Sequence, residues 1–268
     1  MGKQKSMKRY EELEFRDDFM FGKVMEDSQL CHDVLECLMR RPVGKLTKLE
    51  TQKEIRYTSG GKPIRLDVYN EDSNGGIYDA EMQNKNNKSI QALELPKRSR
   101  FYQSAIDMDF MNKGNPYRRL PESNVMFICT FDPFGHGLSQ YTFVQKCEEK
   151  LELTLKDETK KIFYNCTYEG NDISKELREF YDYIMNGKVT NDLTRRIDRA
   201  ILKGRKNEIW RSQFMKEWVI LQDAKEEGRE EGREEGREEE RKNTEIERER
   251  ANKAEMRIKE LEDLLAKR

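Results

Sequence analysis

Two neighbouring segments of the chain alternate apolar and polar residues with the period of a β-strand. They are residues 64–69 and 77–84, and the stretch between them is rich in Asn, Asp, Ser and Gly, which predicts a hairpin turn. Each strand then has one less polar face and one face that carries a carboxylate. The polar faces hold Arg65, Asp67 and Tyr69 on the first strand and Asp79, Glu81 and Gln83 on the second. Folding at the turn brings Asp67 and Glu81 near each other.

The periodicity around this hairpin predicts a helix, three strands, a helix and a strand, an α/β order with a mixed sheet. Ser28 is the expected N-cap of one helix, and Pro96 is expected to precede a longer helix. The predicted helices are 17–23, 28–40, 97–111, 174–185, 192–202 and 208–222. The predicted strands are 49–57, 64–69, 77–84 and 124–131, with shorter ones at 151–155 and 161–165.

From Asp223 the chain becomes a repeat of Gly, Arg and Glu with a period of four residues. Each glycine destabilises a helix by about 1 kcal/mol relative to Ala. Each pair of opposite charges at helical spacing stabilises it by only a few tenths of a kcal/mol. The repeat is therefore a marginal helix in isolation. A short apolar seam beyond it suits dimerisation, and a solvated helix with no fixed partner is an equal alternative. The seam consists of Ala251, Ala254, Ile258, Leu261 and Leu265.

Composition narrows the class of protein without choosing a function. The 268 residues suffice for one core and an extension, which we divide into a disordered N-terminus (1–14), a folded domain (15–222) and a charged helical tail (223–268). The formal net charge of −1 neither supports nor excludes nucleic-acid binding. Five cysteines without a Cys-x-x-Cys pair, and only two histidines, disfavour disulfide frameworks, zinc sites and Ser-His catalysis. The sequence contains no long apolar run of the kind that forms a membrane span or a signal peptide. A cytoplasmic location is therefore expected.

The carboxylates of Asp67 and Glu81 are the strongest candidates for chemistry. Two converging carboxylates repel unless a cation or a proton lies between them, and carboxylate oxygens are preferred ligands of Mg²⁺ and Mn²⁺. On spacing alone, the favoured interpretation is a pair of solvent-facing strand residues salt-bridged to Arg65.

Several blocks of sequence, taken in order, resemble the PD-(D/E)XK nuclease superfamily. Asp67 matches its Asp, Glu81 its acidic member, and Gln83 the position usually held by Lys. The Gln form is similar to the Rpn family of recombination-promoting nucleases, often labelled putative transposases. The other matching blocks are Asp-Phe-Met-Phe-Gly-Lys-Val-Met at 18–25, Leu-Pro-Lys-Arg-Ser-Arg-Phe-Tyr-Gln-Ser at 95–104 with Ile-Asp at 106–107, and Phe-Ile-Cys-Thr-Phe-Asp-Pro-Phe-Gly at 127–135.

This resemblance implies a PD-(D/E)XK nuclease-like mixed sheet flanked by helices and a Mg²⁺- or Mn²⁺-dependent DNA endonuclease linked to recombination or mobile elements. Asp67, Glu81 and the carbonyl of Met82 would hold the metal, and Gln83 would orient the attacking water. Lys85 could supply the cation missing at Gln83. The expected partners are DNA and a second copy paired through the tail, and no membrane.

Other candidate residues have simpler alternative roles. Phosphate contacts are expected from Arg98, Arg100 and Tyr102, although a solvated helical face would also explain them. Glu36 could add a carboxylate, with an exposed helical Glu as the simpler interpretation. Asp18 is expected to cap the first helix or approach the site. Because Gln cannot carry charge, a catalytically degenerate fold that binds DNA or assembles with partners is the alternative function.

Overall fold

The computed structural model describes residues 8–55, 64–84, 90–111 and 114–266, with only the backbone described for 90–92 and 260–266. Contacts divide the chain into two compact units, Met1–Arg211 and Ser212–Arg268. None of the helices described is long and apolar enough to cross a membrane.

A six-stranded mixed sheet forms the centre of the first unit, in the spatial order β1-β2-β3-β4-β6-β5. β1, β2 and β3 pair antiparallel, β3, β4 and β6 pair parallel, and β5 is antiparallel to β6. The α/β mixed-sheet prediction is therefore confirmed. The strands are β1 Leu46–Ile55, β2 Ile64–Asp72, β3 Ile77–Gln83, β4 Ser123–Cys129, β5 Gln140–Phe143 and β6 Thr159–Asn165. The predicted end of the first strand, residues 56–57, lies outside the described residues.

The helices are α1 Asp18–Met25, α2 Ser28–Met39, α3 Ile90–Met111, α4 Lys175–Asn186, α5 Asp192–Gly204 and α6 Glu208–Ala266. Asp27, and not Ser28, caps α2, because the Asp27 side chain accepts a hydrogen bond from the Leu30 N–H. α5 begins with a capping box between Asn191 and Thr194.

Helices cover both faces of the sheet. Odd-numbered residues of β3 and β4 face α3, whose Leu95, Ala105 and Ile106 join a buried cluster with Val125 and Phe127. Even-numbered residues face the other side, where Tyr164, in register with Ile128, donates its hydroxyl to the Leu38 carbonyl of α2. α1 also contacts the sheet, at β1, β2 and β3.

Two predictions about elements were wrong, and one strand was not predicted. α3 begins before Pro96, because burial of Leu95 stabilises the preceding turn even though proline lacks an N–H to donate. Residues 151–155 form no strand, since β5, which the pattern did not predict, already pairs with the edge of β6. Only an isolated bridge, Lys146 to Thr154, forms there within the described chain.

Part of the predicted disordered N-terminus is also packed. Tyr10 and Leu13 are buried, and a short 3₁₀ turn spans Tyr10–Glu12. The Tyr10 hydroxyl donates to the Gly204 carbonyl at 2.6 Å, which ties residues near the N-terminus to the end of α5.

Candidate active site: a buried carboxylate cluster

Asp67 and Glu81 lie where the β2–β3 ladder ends. The last paired residues are Val68 and Ala80, so the same register places Asp67 opposite Glu81. Beyond that pair, side chains replace backbone acceptors. The Asp67 N–H donates to Glu81 Oε1 at 2.7 Å, and the Met82 N–H donates to Asp67 Oδ2 at 3.3 Å. The structure therefore brings these two carboxylates together, at the point where the strands separate.

The carboxylate face of β3 is buried, whereas one interpretation of the sequence placed it in solvent. Glu81 is 1% exposed and Asp79 is fully buried, because α3 covers the odd-numbered residues of β3. Burial, followed by the charges of Asp67 and Asp79, raises the pKa of Glu81 well above its usual range. Burial, followed by the charge of Asp18, raises the pKa of Asp67 to about 7. A cation at this position would relieve both effects.

Asp79 is a third carboxylate of the cluster that the pattern analysis did not select. Among the described residues, neither of its buried oxygens has a hydrogen-bond donor. Burial, followed by the charge of Asp67, raises the pKa of Asp79 well above its usual range. In the sequence, Asp79 lies two residues before Glu81 and therefore on the same face of the strand, and this spacing could have identified it as a member of the cluster.

Arg98 of α3 reaches the cluster and contacts Gln83. Its guanidinium donates to Gln83 Oε1 at 3.1 Å, to the Tyr102 hydroxyl at 2.9 Å and to Glu81 Oε2 at 3.4 Å. Arg98 lies 5.3 Å from the centroid of the Tyr102 ring, which stacks with Phe127. Arg98 thus supplies positive charge beside Gln83. Lys85, the cation suggested by the sequence, lies outside the described residues.

The structure does not bring Arg100 to the cluster. Arg100 is exposed, and two helical positions place it about 200° around α3 from Arg98. Within the described chain, no hydrogen bond or ion pair joins its side chain to the three carboxylates. Arg98 and Tyr102, four residues apart, share the face directed at the sheet.

Glu36 and Asp18 have different positions relative to the cluster. Glu36 lies on α2, where its Oε1 accepts the Val43 N–H and it groups with His32 and Asp33 instead of Asp67. That group could hold a metal by ligand type, although Arg196 already pairs with Asp33 at 2.5 Å. Asp18 is the first residue of α1, and its charge contributes to the raised pKa of Asp67. Asp17, not Asp18, is the N-cap of α1.

Gln52 on β1 has an unusual backbone conformation beside the cluster. The β1–β2 register places it opposite Asp67, yet its φ is +55°, a value rare for residues other than glycine. Its Oε1 is buried and has no donor among the residues described. Its Nε2 lies 3.3 Å from where a Cβ on Gly22 would be, so the missing side chain at Gly22 leaves room for it. Strained residues of this kind concentrate at functional sites.

Comparison with known families gives one match. A family model described as PD-(D/E)XK nuclease family transposase matches residues 14–263. Searches of curated proteins and of solved structures found no significant match. The matched range contains the carboxylate cluster, Gln83, Arg98 and most of α6.

Proposed function

Because the chain belongs to the PD-(D/E)XK nuclease family transposases, we propose that it is a metal-dependent endonuclease that hydrolyses phosphodiester bonds in DNA. The observation that carries this proposal is the meeting of Asp67, Asp79 and Glu81 at the end of the β2–β3 ladder, with Asp79 and Glu81 buried. Three carboxylates near one arginine leave an excess of negative charge in a water-poor site. A divalent cation is the ligand that such a donor set favours.

Asp67, Glu81 and the carbonyl of Met82 would hold Mg²⁺ or Mn²⁺. The Met82 N–H points into the gap beside β2, where it donates to Asp67. The carbonyl of a strand residue points the same way as its N–H, which supports the Met82 carbonyl as a further ligand. When bound, the ion neutralises charge that develops on the phosphate and lowers the pKa of bound water.

Gln83 and Arg98 together replace the lysine of the commoner motif. The Gln83 amide orients the attacking water by hydrogen bonds, and Arg98 supplies the positive charge. Arg98 also binds Glu81 and Tyr102, and its side chain is 28% exposed, so it can still contact a phosphate from one side. Arg100 is exposed on another face of α3, and the phosphate contact expected of it from the sequence stays a prediction.

The domain division extends this proposal to the whole chain. Residues 15–222 form the nuclease-like domain, and residues 223–268 form a tail that pairs two copies. Pairing lets two active sites cut opposite strands of one duplex, which one site cannot do in a single step.

DNA cleavage tests the activity directly. We expect the purified protein to nick or linearise supercoiled plasmid with Mg²⁺ or Mn²⁺ and not with EDTA, and Glu81→Gln to abolish cleavage while keeping the side-chain volume. Glu71→Gln, on β2 but paired with Tyr69 and Lys48, is the matched control and should cleave normally. Cleavage that persists in Glu81→Gln would contradict the assignment.

Gln83 has a test of its own. Gln83→Ala should lower the cleavage rate, because the water loses its orienting amide, and should leave Mn²⁺ binding by calorimetry largely intact. Gln83→Lys should retain or raise the rate, since it restores the commoner residue. An unchanged rate in Gln83→Ala would show that Arg98 and the metal suffice.

The second candidate function is a catalytically degenerate nuclease fold that binds DNA or assembles with partners. The glutamine at position 83 and the repeat tail favour it. Wild-type protein that binds plasmid and Mn²⁺ but does not cleave with any divalent metal would support this alternative.

A further inference from the structure

The second unit, Ser212–Arg268, exposes large apolar side chains at both ends of its helix. Near the start, Leu221 is 54% exposed, and near the end Ile258 is 56% exposed. Between them lies a long charged stretch. Apolar side chains grouped in this way on one helix require a covering surface.

Two short seams on α6 have matching spacings in opposite directions. Read towards the C-terminus, the residues of the first seam are spaced by three, four and three positions. Read towards the N-terminus, the residues of the second seam have the same spacings. The first seam is Trp218, Leu221, Lys225 and Gly228, and the second, read downwards, is Leu261, Ile258, Ala254 and Ala251. Two antiparallel copies can therefore place Leu221 opposite Ile258 and Gly228 opposite Ala251, with large residues outermost and small ones inward.

Both seams lie on one stripe of the helix. At about 100° per residue, their mean directions differ by about 60° over the length of α6. Gly232 and Gly236 fall on the same stripe between them. One nearly straight helix can thus contact a partner along this whole stripe.

Charge distinguishes the direction of pairing. Residues 223–240 contain ten acidic and four basic residues, and residues 241–259 contain seven basic and four acidic residues. A parallel pair in register places the acidic segment beside its own copy. An antiparallel pair places it beside the basic segment of the partner, which lowers repulsion and fixes the orientation.

We infer that α6 binds a second copy of this chain as an antiparallel helix pair, with Leu221 of each copy packed against Ile258 of the other. This inference rests on the proposed pairing through the tail and specifies its direction. In a parallel pair the two Ser212 positions would be neighbours, about 10 Å apart. In the antiparallel pair they are separated by roughly 80 Å of helix, so the two chains enter the pair from opposite ends.

Disulfide trapping tests the direction without relying on cleavage. Leu221→Cys and Ile258→Cys are introduced into separate copies of the full chain, which are mixed and oxidised. Because a disulfide requires Cα atoms within about 7 Å, we expect the mixture to give about tenfold more linked dimer than either variant alone. Wild-type protein, whose Cys37 and Cys147 are partly exposed, gives the background. The matched control is Ile220→Cys mixed with Ile258→Cys, since residue 220 lies about 100° from residue 221 around the helix.

Each other outcome overturns a defined part of the inference. Linked dimer from Leu221→Cys alone would show a parallel pair. Equal trapping by Ile220→Cys and Leu221→Cys would show that the seam is not the contact surface. A monomer by light scattering, with no trapping in any mixture, would overturn pairing through α6. Plasmid cleavage measured on the same samples separates these failures from a failure of the nuclease proposal, which would leave trapping unchanged.

Discussion

Asp79 has a carboxylate that is fully buried, and its oxygens have no hydrogen-bond donor among the described residues. Isolated buried charges are expensive, so such a group takes up a proton or finds a cation. Burial also raises the pKa values of Glu81 and Asp67, and Arg98 of α3 donates to Glu81. The cation that we propose for this site would therefore offset a cost that burial of these carboxylates imposes on the metal-free protein.

The pH dependence of stability tests this arrangement at Asp67. Its pKa rises from 3.8 to about 7 on folding, so between these values the folded state keeps a proton that the unfolded state has released. The contribution of Asp67 to stability therefore falls as pH rises from about 4 to about 7 and remains unfavourable above that. Without divalent metal, Asp67→Asn should gain stability over wild type at about pH 8 and little at about pH 4.5.

Urea unfolding at both pH values, in EDTA, measures this difference. Comparing the two proteins at each pH cancels the titrating groups outside the cluster. Removal of the Asp67 charge also lowers the pKa of Asp79 and of Glu81, which changes stability in the same direction. Mn²⁺ added at the higher pH should stabilise wild type more than Asp67→Asn, since the ion binds the ionised carboxylate. Identical pH profiles for the two proteins would mean that Asp67 titrates normally.

At the scale of elements, β1 departs from regular strand geometry opposite Asp67. Gln52, at that position of the β1–β2 register, has a φ of +55°. The irregularity lies at the level of the sheet where β2 separates from β3, and local departures of this kind re-aim side chains beside functional sites.

Close packing at the end of α5 gives an element-scale prediction. A Cβ on Gly204 would lie 2.5 Å from Cζ3 of the Trp210 ring, and a rigid indole cannot move aside cheaply. Gly204→Ala should therefore destabilise the protein by about 1–3 kcal/mol despite the better helix propensity of Ala. Chemical denaturation monitored by tryptophan fluorescence measures this change in the free energy of unfolding.

The matched control is Gly228→Ala, where a new Cβ meets nothing within 4 Å. Within a single copy only propensity acts there, so at protein concentrations that keep the chain monomeric we expect α6 to gain up to about 1 kcal/mol. Equal effects from the two substitutions would show that the Gly204–Trp210 contact is not tight.

At the scale of the whole molecule, the chain combines a packed α/β unit with a long charged helix, and the family match extends over both. Truncation after Gln222 should give a monomer by light scattering, because it removes Ile258 and the rest of the second seam. Plasmid products should shift from double-strand breaks towards nicks, since two sites no longer act together. A truncated protein that remains dimeric would place the interface in the first unit.

The sequence by itself determined the features of the fold that depend on residues close together in the chain. The turn between β2 and β3 is short, so its composition and the alternation around it set the register that joins Asp67 to Glu81. Strand and helix periodicity likewise identified most elements, because it reports the buried face of each one directly. The family resemblance needed only the order of short blocks along the chain.

Tertiary structure alone decided which distant residues complete the site. α3 crosses the sheet so that Arg98 reaches Gln83 and Glu81 while Arg100 points away, and it buries Asp79, which alternation alone leaves on a polar face. α1 brings Asp18 towards Asp67, and β1 brings Gln52 opposite it. These contacts depend on how helices pack across strands remote in sequence, and periodicity within one element contains no information about that packing.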